Sequence, residues 1–199
     1  MAEPVHLQYE QLPVGSVGKI SGGWWGVLTL IVTEACLFGY LLFCFFYLNS
    51  QSEQAWPPEG PPSLLVPAAN TLILLASSAC VWIGERGVRQ DRAIWSIAGL
   101  TAAIVLGTCF VAIQLMEWSD KPYGLTTDLY GSLYFTITGF HMAHVVIGLA
   151  VLMLLLVWAA LGYFNSKRYA AMTIGGAYWH FVDVVWLFVF STLYLFPYF

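Results

Sequence analysis

Along the chain, apolar residues gather into five long runs separated by short stretches rich in Pro, Gly and charge. The runs extend from about Trp24 to Leu48, Leu64 to Ile83, Ala93 to Met116, Leu129 to Tyr163, and Tyr169 to Tyr198. Each reaches the roughly 20 residues that an α-helix needs to cross a bilayer. Backbone groups in lipid must be satisfied within their own segment, and no ten-residue alternating barrel strands occur. The pattern therefore predicts an all-α, polytopic membrane bundle of five transmembrane helices. The first link, "NSQSEQAWPPEGPPS", is an extended loop, because Pro57, Pro58, Pro61 and Pro62 forbid helix there. "GERGVRQDR" and "GYFNSKR" read as tight charged turns, and "EWSDKPYGLTTD" as a longer loop. Residues 1–21 are polar, read as a solvent-side tail with no cleaved presequence. Residues 22–199 read as a single membrane domain without an internal repeat.

Composition agrees. The 199 residues are 59% hydrophobic and only 9% charged, with a mean hydropathy of +0.74. Soluble domains carry about 25% charged residues. Lipid is thus the solvent for most of the chain. Orientation follows from Lys19, Arg86, Arg89, Arg92, Lys167 and Arg168 on one side, against Lys121 on the other. The N-terminus is expected in the cytoplasm and the C-terminus outside. No basic stripe suggests nucleic acid. Cys36, Cys44, Cys80 and Cys109 form no CxxC pair and read as small apolar residues.

Ionisable groups inside a membrane are costly, and each is a candidate site. Glu34 lies in the first run, His141 and His144 in the fourth, His180 and Asp183 in the fifth. A rise of about 1.5 Å per residue puts Glu34, His180 and His141 roughly 15–18 Å deep, at one mid-membrane level. His141 and His144 are i, i+3 neighbours, as are His180 and Asp183. Asp183 is expected to fix the tautomer of an imidazole, and Glu34 to be tied to another helix, with His180 at its depth. Glu117 falls at the outer end of its run and is expected to be solvated. In the fourth run, Gly131, Gly139 and Gly148 offer a small face for close helix approach.

Two readings of the polar layer stand open. It ties helices together through hydrogen bonds, or it ligates a metal or haem. Histidines three apart on one helix cannot take opposite axial positions of one haem, although His180 with a fourth-run histidine could. Nothing resembles a nucleophile with its base or a phosphate loop, so the chain is expected to catalyse nothing by itself.

The blocks "YWHFVDVVWLFVF", "YGSLYFTITGFHMAHVVIG", "QLMEW", "NTLILLASS" and "WPPEGPPS" have a familiar order. In them the sequence resembles subunit III of the haem–copper terminal oxidases, closest to the cytochrome c oxidase branch, from about Glu34 onward. The resemblance implies an accessory subunit without redox centres of its own, in the cytoplasmic membrane of a bacterium. Haem and copper would belong to partner subunits, with oxidase subunits I and II as neighbours. Cytochrome c would be met only through the complex. The subunit would bind membrane phospholipid and support proton uptake. Glu34 in "TEACLF", His141 with His144, and His180 with Asp183 match the family's buried polar positions. Two departures stand out. The commonest form has seven spans, of which these resemble the last five, so its lipid-holding cleft is expected to be absent or completed by a neighbour. Met142 also stands where the family usually has Gly. Subunit III of a quinol oxidase, an accessory subunit of a nitric oxide reductase, and a small transporter are the competing readings.

Overall fold

The computed structural model describes residues 22–53, 56–58 and 60–199, so the tail at 1–21, with His6 and Lys19, lies outside the described residues. Five helices follow one another: α1 (Gly22–Gln51), α2 (Leu65–Arg89), α3 (Ala93–Ser119), α4 (Leu129–Ala160) and α5 (Ala170–Phe190). All five are long and apolar enough to cross a membrane, α5 together with the helical turns that carry it to Tyr198. No strand occurs among the described residues.

Local chemistry explains the ends. Asp128 caps α4, its Oδ1 accepting from the Gly131 N–H at 2.6 Å. Gly162, with φ of +73°, stops α4 short of Tyr163, as a left-handed residue just past a helix does. The second run continues as helix to Arg89, beyond the expected end at Ile83. Glu85 and Arg89, four apart and 2.6 Å from each other, support that extra turn, and arginines suit a helix C-terminus. The corner itself narrows to Gln90–Arg92, where Asp91 takes φ of +55°. The Asp91 Oδ1 accepts from the Ser166 N–H at 2.7 Å, which joins the α2–α3 and α4–α5 turns at one end of the bundle. Bonding to Ser166, first by its side chain and then by its backbone, holds the Asp91 carboxyl below the usual carboxylate range.

The helix α5 lies at the centre, with ten of its 21 residues buried, whereas α1 buries only Val27, Phe38 and Phe45. Trp179 of α5 is wholly buried and fits against Gly107 of α3 and Gly148 of α4. The closest approach joins α2 and α3, where Gly99 meets the backbone of Cys80 and Gly84. The expected small face of α4 is only partly used. Gly131 and Gly148 are crowded, but Gly139 has open space within 4 Å of any added Cβ. A spacing of eight or nine residues is not a whole number of turns, so the three glycines drift around the helix. Met142 is buried inside the bundle.

At its C-terminal end α5 widens into a π-helical turn, Ser191–Leu195, then a 3₁₀ turn, Phe196–Tyr198. The wider turn directs three consecutive residues, Thr192, Leu193 and Tyr194, into the protein. Such turns recur at functional positions.

Candidate functional site

The polar residues expected at mid-depth form a chain of ties that runs α1–α4–α5–α2. Glu34 on α1 meets His144 on α4, Oε2 to Nε2, at 3.0 Å. The other ring nitrogen of His144, Nδ1, lies 2.6 Å from the Phe140 carbonyl and must donate to it. In a neutral ring Nε2 then lacks a proton, so Glu34 supplies the one that lies between them. If that proton sits on the ring, the pair is carboxylate and imidazolium. Either way the pair carries no net charge, which is the condition under which lipid tolerates it.

The second tie joins α4 to α5. His141 Nε2 donates to the Val182 carbonyl at 3.2 Å, which leaves Nδ1 as an acceptor; it is buried and unbonded among the described residues. The His141 ring lies 4.8 Å from the Trp186 ring, with Phe110 at its edge. The third tie joins α5 to α2, through His180 Nδ1 and the Ser78 hydroxyl.

Glu34 is tied to another helix as expected, and its partner is His144 of α4, not the His180 that shares its expected depth. One expected pairing is corrected. Asp183 does not hold the His180 ring, although the two share a face; the imidazole reaches across to α2 instead. Asp183 is buried, and neither of its oxygens meets hydrogen-bond geometry, with the Ser78 hydroxyl as its polar neighbour. Likewise His141 and His144, three apart, serve different helices.

The carboxylate of Glu117, expected to be solvated, is buried. Its Oε1 accepts from the Tyr194 hydroxyl at 2.8 Å and the Tyr134 hydroxyl at 3.4 Å, and pairs with Lys121 Nζ at 3.0 Å. The two hydroxyls are 2.8 Å apart. The π turn brings Tyr194 over the C-terminal end of α3, so a position at a helix end becomes an enclosed ion pair.

Sequence reasoning also missed Glu85 by reading it into a loop. It accepts from Thr173 Oγ1 at 2.6 Å and pairs with Arg89, tying α2 to α5 at the basic end. The signal was present as the i, i+4 spacing of Glu85 and Arg89. Trp179 Nε1 donates to Ser77 Oγ at 3.0 Å and Trp186 Nε1 to Thr71 Oγ1 at 2.9 Å. Polar contacts thus line the whole α2–α5 seam.

Replacing Glu34 tests the first tie. Glu34→Gln keeps the shape, and its amide donates to the unprotonated Nε2 of His144, so thermal stability should stay near that of the parent. Glu34→Leu leaves His144 Nε2 unpaired and should cost about 1–3 kcal/mol. Thermal denaturation of the purified protein in detergent reads both. Equal melting of the Leu variant and the parent would show that the tie contributes nothing.

Comparison with known proteins agrees with the chemistry. A family model described as "Cytochrome c oxidase subunit III" matches residues 16–198. The chain is similar to "Cytochrome c oxidase subunit 3" of Thermostichus vulcanus, 35% identical over 175 residues that cover 85% of both chains. It is 36% identical to the protein so named from Synechocystis sp. over 176 residues, 85% of this chain and 74% of the relative. The Petromyzon marinus protein of that name is 33% identical over 177 residues, 85% of this chain and 68% of its own. A helical membrane bundle whose buried polar groups tie its helices together, matched by such relatives along most of its length, belongs to the cytochrome c oxidase subunit III family.

Proposed function

We propose that this chain is the accessory, redox-inactive member of a proton-translocating cytochrome c oxidase in the cytoplasmic membrane of a bacterium. It packs against subunit I, which carries haem and copper, and shares the complex with subunit II. Its N-terminus faces the cytoplasm. It steadies the catalytic subunit, binds phospholipid and supports proton uptake, and it meets cytochrome c only through the complex.

The observation that carries this reading is the use made of the three membrane histidines. His141, His144 and His180 each engage a different partner, Val182, Glu34 and Ser78, and the ties join one helix to the next. Side chains held in this way serve packing. The orientation rests on the joined turns: Arg86, Arg89 and Arg92 share an end of the bundle with Lys167 and Arg168, while Lys121 lies at the other.

The test is purification of the tagged chain from its own cells in a mild detergent. It is expected to elute with a polytopic, haem-containing partner whose oxygen consumption depends on reduced cytochrome c. Once stripped from that partner, the chain is expected to show no haem absorption. Elution without haem would defeat the assembly, and a bis-histidine haem spectrum in the separated chain would defeat the redox-inactive role.

A further inference from the structure

Four buried polar atoms without a hydrogen-bond partner among the described residues gather where the start of α2 meets the end of α3: Asn70 Oδ1, both amide atoms of Gln114, and Glu117 Oε2. On α3, Phe110, Gln114 and Glu117 stand four and then three residues apart, so they form one stripe. All three are buried, Gln114 with 1% of its surface exposed. Asn70 is wholly buried and donates through Nδ2 to the Phe110 carbonyl at 3.3 Å. In the α-helix that carbonyl also accepts the Gln114 N–H, so the Asn70 amide lies within one turn of Gln114. Below the stripe stand the rings of Phe110 and Trp186, edge to face at 4.9 Å. Above it stands Glu117, whose other oxygen already accepts from Tyr194 and Tyr134 and pairs with Lys121.

Donors and acceptors do not balance in this layer. Asn70 Oδ1, Gln114 Oε1 and Glu117 Oε2 accept, and of the four atoms Gln114 Nε2 alone donates. Polar groups left in this way inside a membrane protein are costly, because lipid offers them nothing. A cation would suit the acceptors, but it would add a net charge beside the Glu117–Lys121 pair, which is neutral as it stands. An anion would face the Glu117 carboxylate with one donor to hold it. Water is neutral, donates twice and accepts twice. It alone meets every atom of the set.

We propose that Asn70, Gln114 and Glu117 form a binding site for ordered water inside the bundle. The water donates to Asn70 Oδ1, Gln114 Oε1 and Glu117 Oε2 and accepts from Gln114 Nε2. It joins a side chain of α2 to two of α3 across distances that no direct bond covers. It also carries the Glu117 cluster inward by one turn, so that hydrogen-bonding groups follow one another from Lys121 to Asn70. The site lies within this chain alone and is independent of the oxidase assignment.

The experiment is electron cryomicroscopy of the protein in whatever complex it purifies with, at a resolution that shows ordered water. Density is expected about 2.7–3.2 Å from the Gln114 amide and from Asn70 Oδ1 or Glu117 Oε2. Gln114→Met, similar in shape but apolar, supplies a second reading. With water in the layer, the variant loses that water, leaves Asn70 and Glu117 unpaired, and melts several degrees below the parent. In a dry layer the same change only removes two unpaired atoms, so melting level with the parent or above it would overturn the proposal. Leu115→Met, on the exposed face beside it, should melt with the parent, so that a loss in Gln114→Met belongs to the amide. A map in which Gln114 bonds Asn70 or Glu117 directly, with no density between them, would also overturn it. So would density held by several oxygens at about 2.3–2.6 Å, which marks a metal cation. Absence of haem from the same preparation would count against the oxidase reading and leave this one untouched.

Discussion

Replacing Gly99 with alanine is expected to force α2 and α3 apart and to lower stability more than its size suggests. A Cβ at this position would lie 2.7 Å from the Cys80 carbonyl oxygen, 2.7 Å from the Gly84 nitrogen and 2.9 Å from the Gly84 Cα. All three atoms are backbone, so no side chain can rotate to make room. Overpacking of this kind costs about 1–3 kcal/mol, and the helix propensity gained by removing a glycine returns at most about 1 kcal/mol. Membrane helices associate through such close contact, since lipid supplies no hydrophobic drive between them. Gly139→Ala is the matched control, because nothing lies within 4 Å of the added Cβ. Thermal unfolding followed by tryptophan fluorescence should show Gly99→Ala melting well below the parent and Gly139→Ala level with it or slightly above. A Gly99→Ala protein as stable as the parent would mean that the two backbones do not touch.

A second large effect is expected at Trp179, where one indole of α5 meets three other helices, α2, α3 and α4. The ring is wholly buried, an added Cβ on either Gly107 or Gly148 would come within 2.8 Å of it, and its N–H donates to Ser77. Trp179→Ala removes all of this, and large-to-small changes at buried aromatics cost about 3–5 kcal/mol. The cost arises from lost dispersion contacts and an empty cavity, because the apolar alternative for this surface is lipid. Trp179→Phe should recover roughly half, filling much of the space without the hydrogen bond. Ser77 stays satisfied in both variants, since its hydroxyl also donates to the Leu74 carbonyl at 2.6 Å. Proteolytic susceptibility in mixed micelles, titrated with denaturant, would rank the three proteins. If Trp179→Ala matched the parent, α2, α3, α4 and α5 would have to close over the gap unaided.

The five spans were legible because apolar length is read directly from sequence, and depth arithmetic placed Glu34, His141 and His180 at a common level for the same reason. Partner choice was not legible. Periodicity says which residues share a face of one helix, as with His180 and Asp183, but not which neighbouring helix that face meets. The structure sends His180 to Ser78 and leaves Asp183 unbonded. The end of α2 was misjudged because charge was read as a loop, when the spacing of Glu85 and Arg89 also suits a helix. Glu117 was misjudged for a different reason. Its burial depends on a π turn some 75 residues later, which leaves no mark in the hydropathy pattern.

The tie between Glu34 and His144 also orders events in time. The two residues are 110 positions apart. At roughly 5–20 residues per second, about 5–20 s of synthesis separates them. Throughout that interval α1 is in the membrane without its partner helices, and its single carboxylate has no imidazole to share a proton with. A helix that buries only three of its 30 residues is suited to such a wait, since lipid can cover nearly all of it. The helix made first of the five is therefore the one that waits longest for its partners, and a nascent chain halted before α4 would leave Glu34 without His144 in the bilayer.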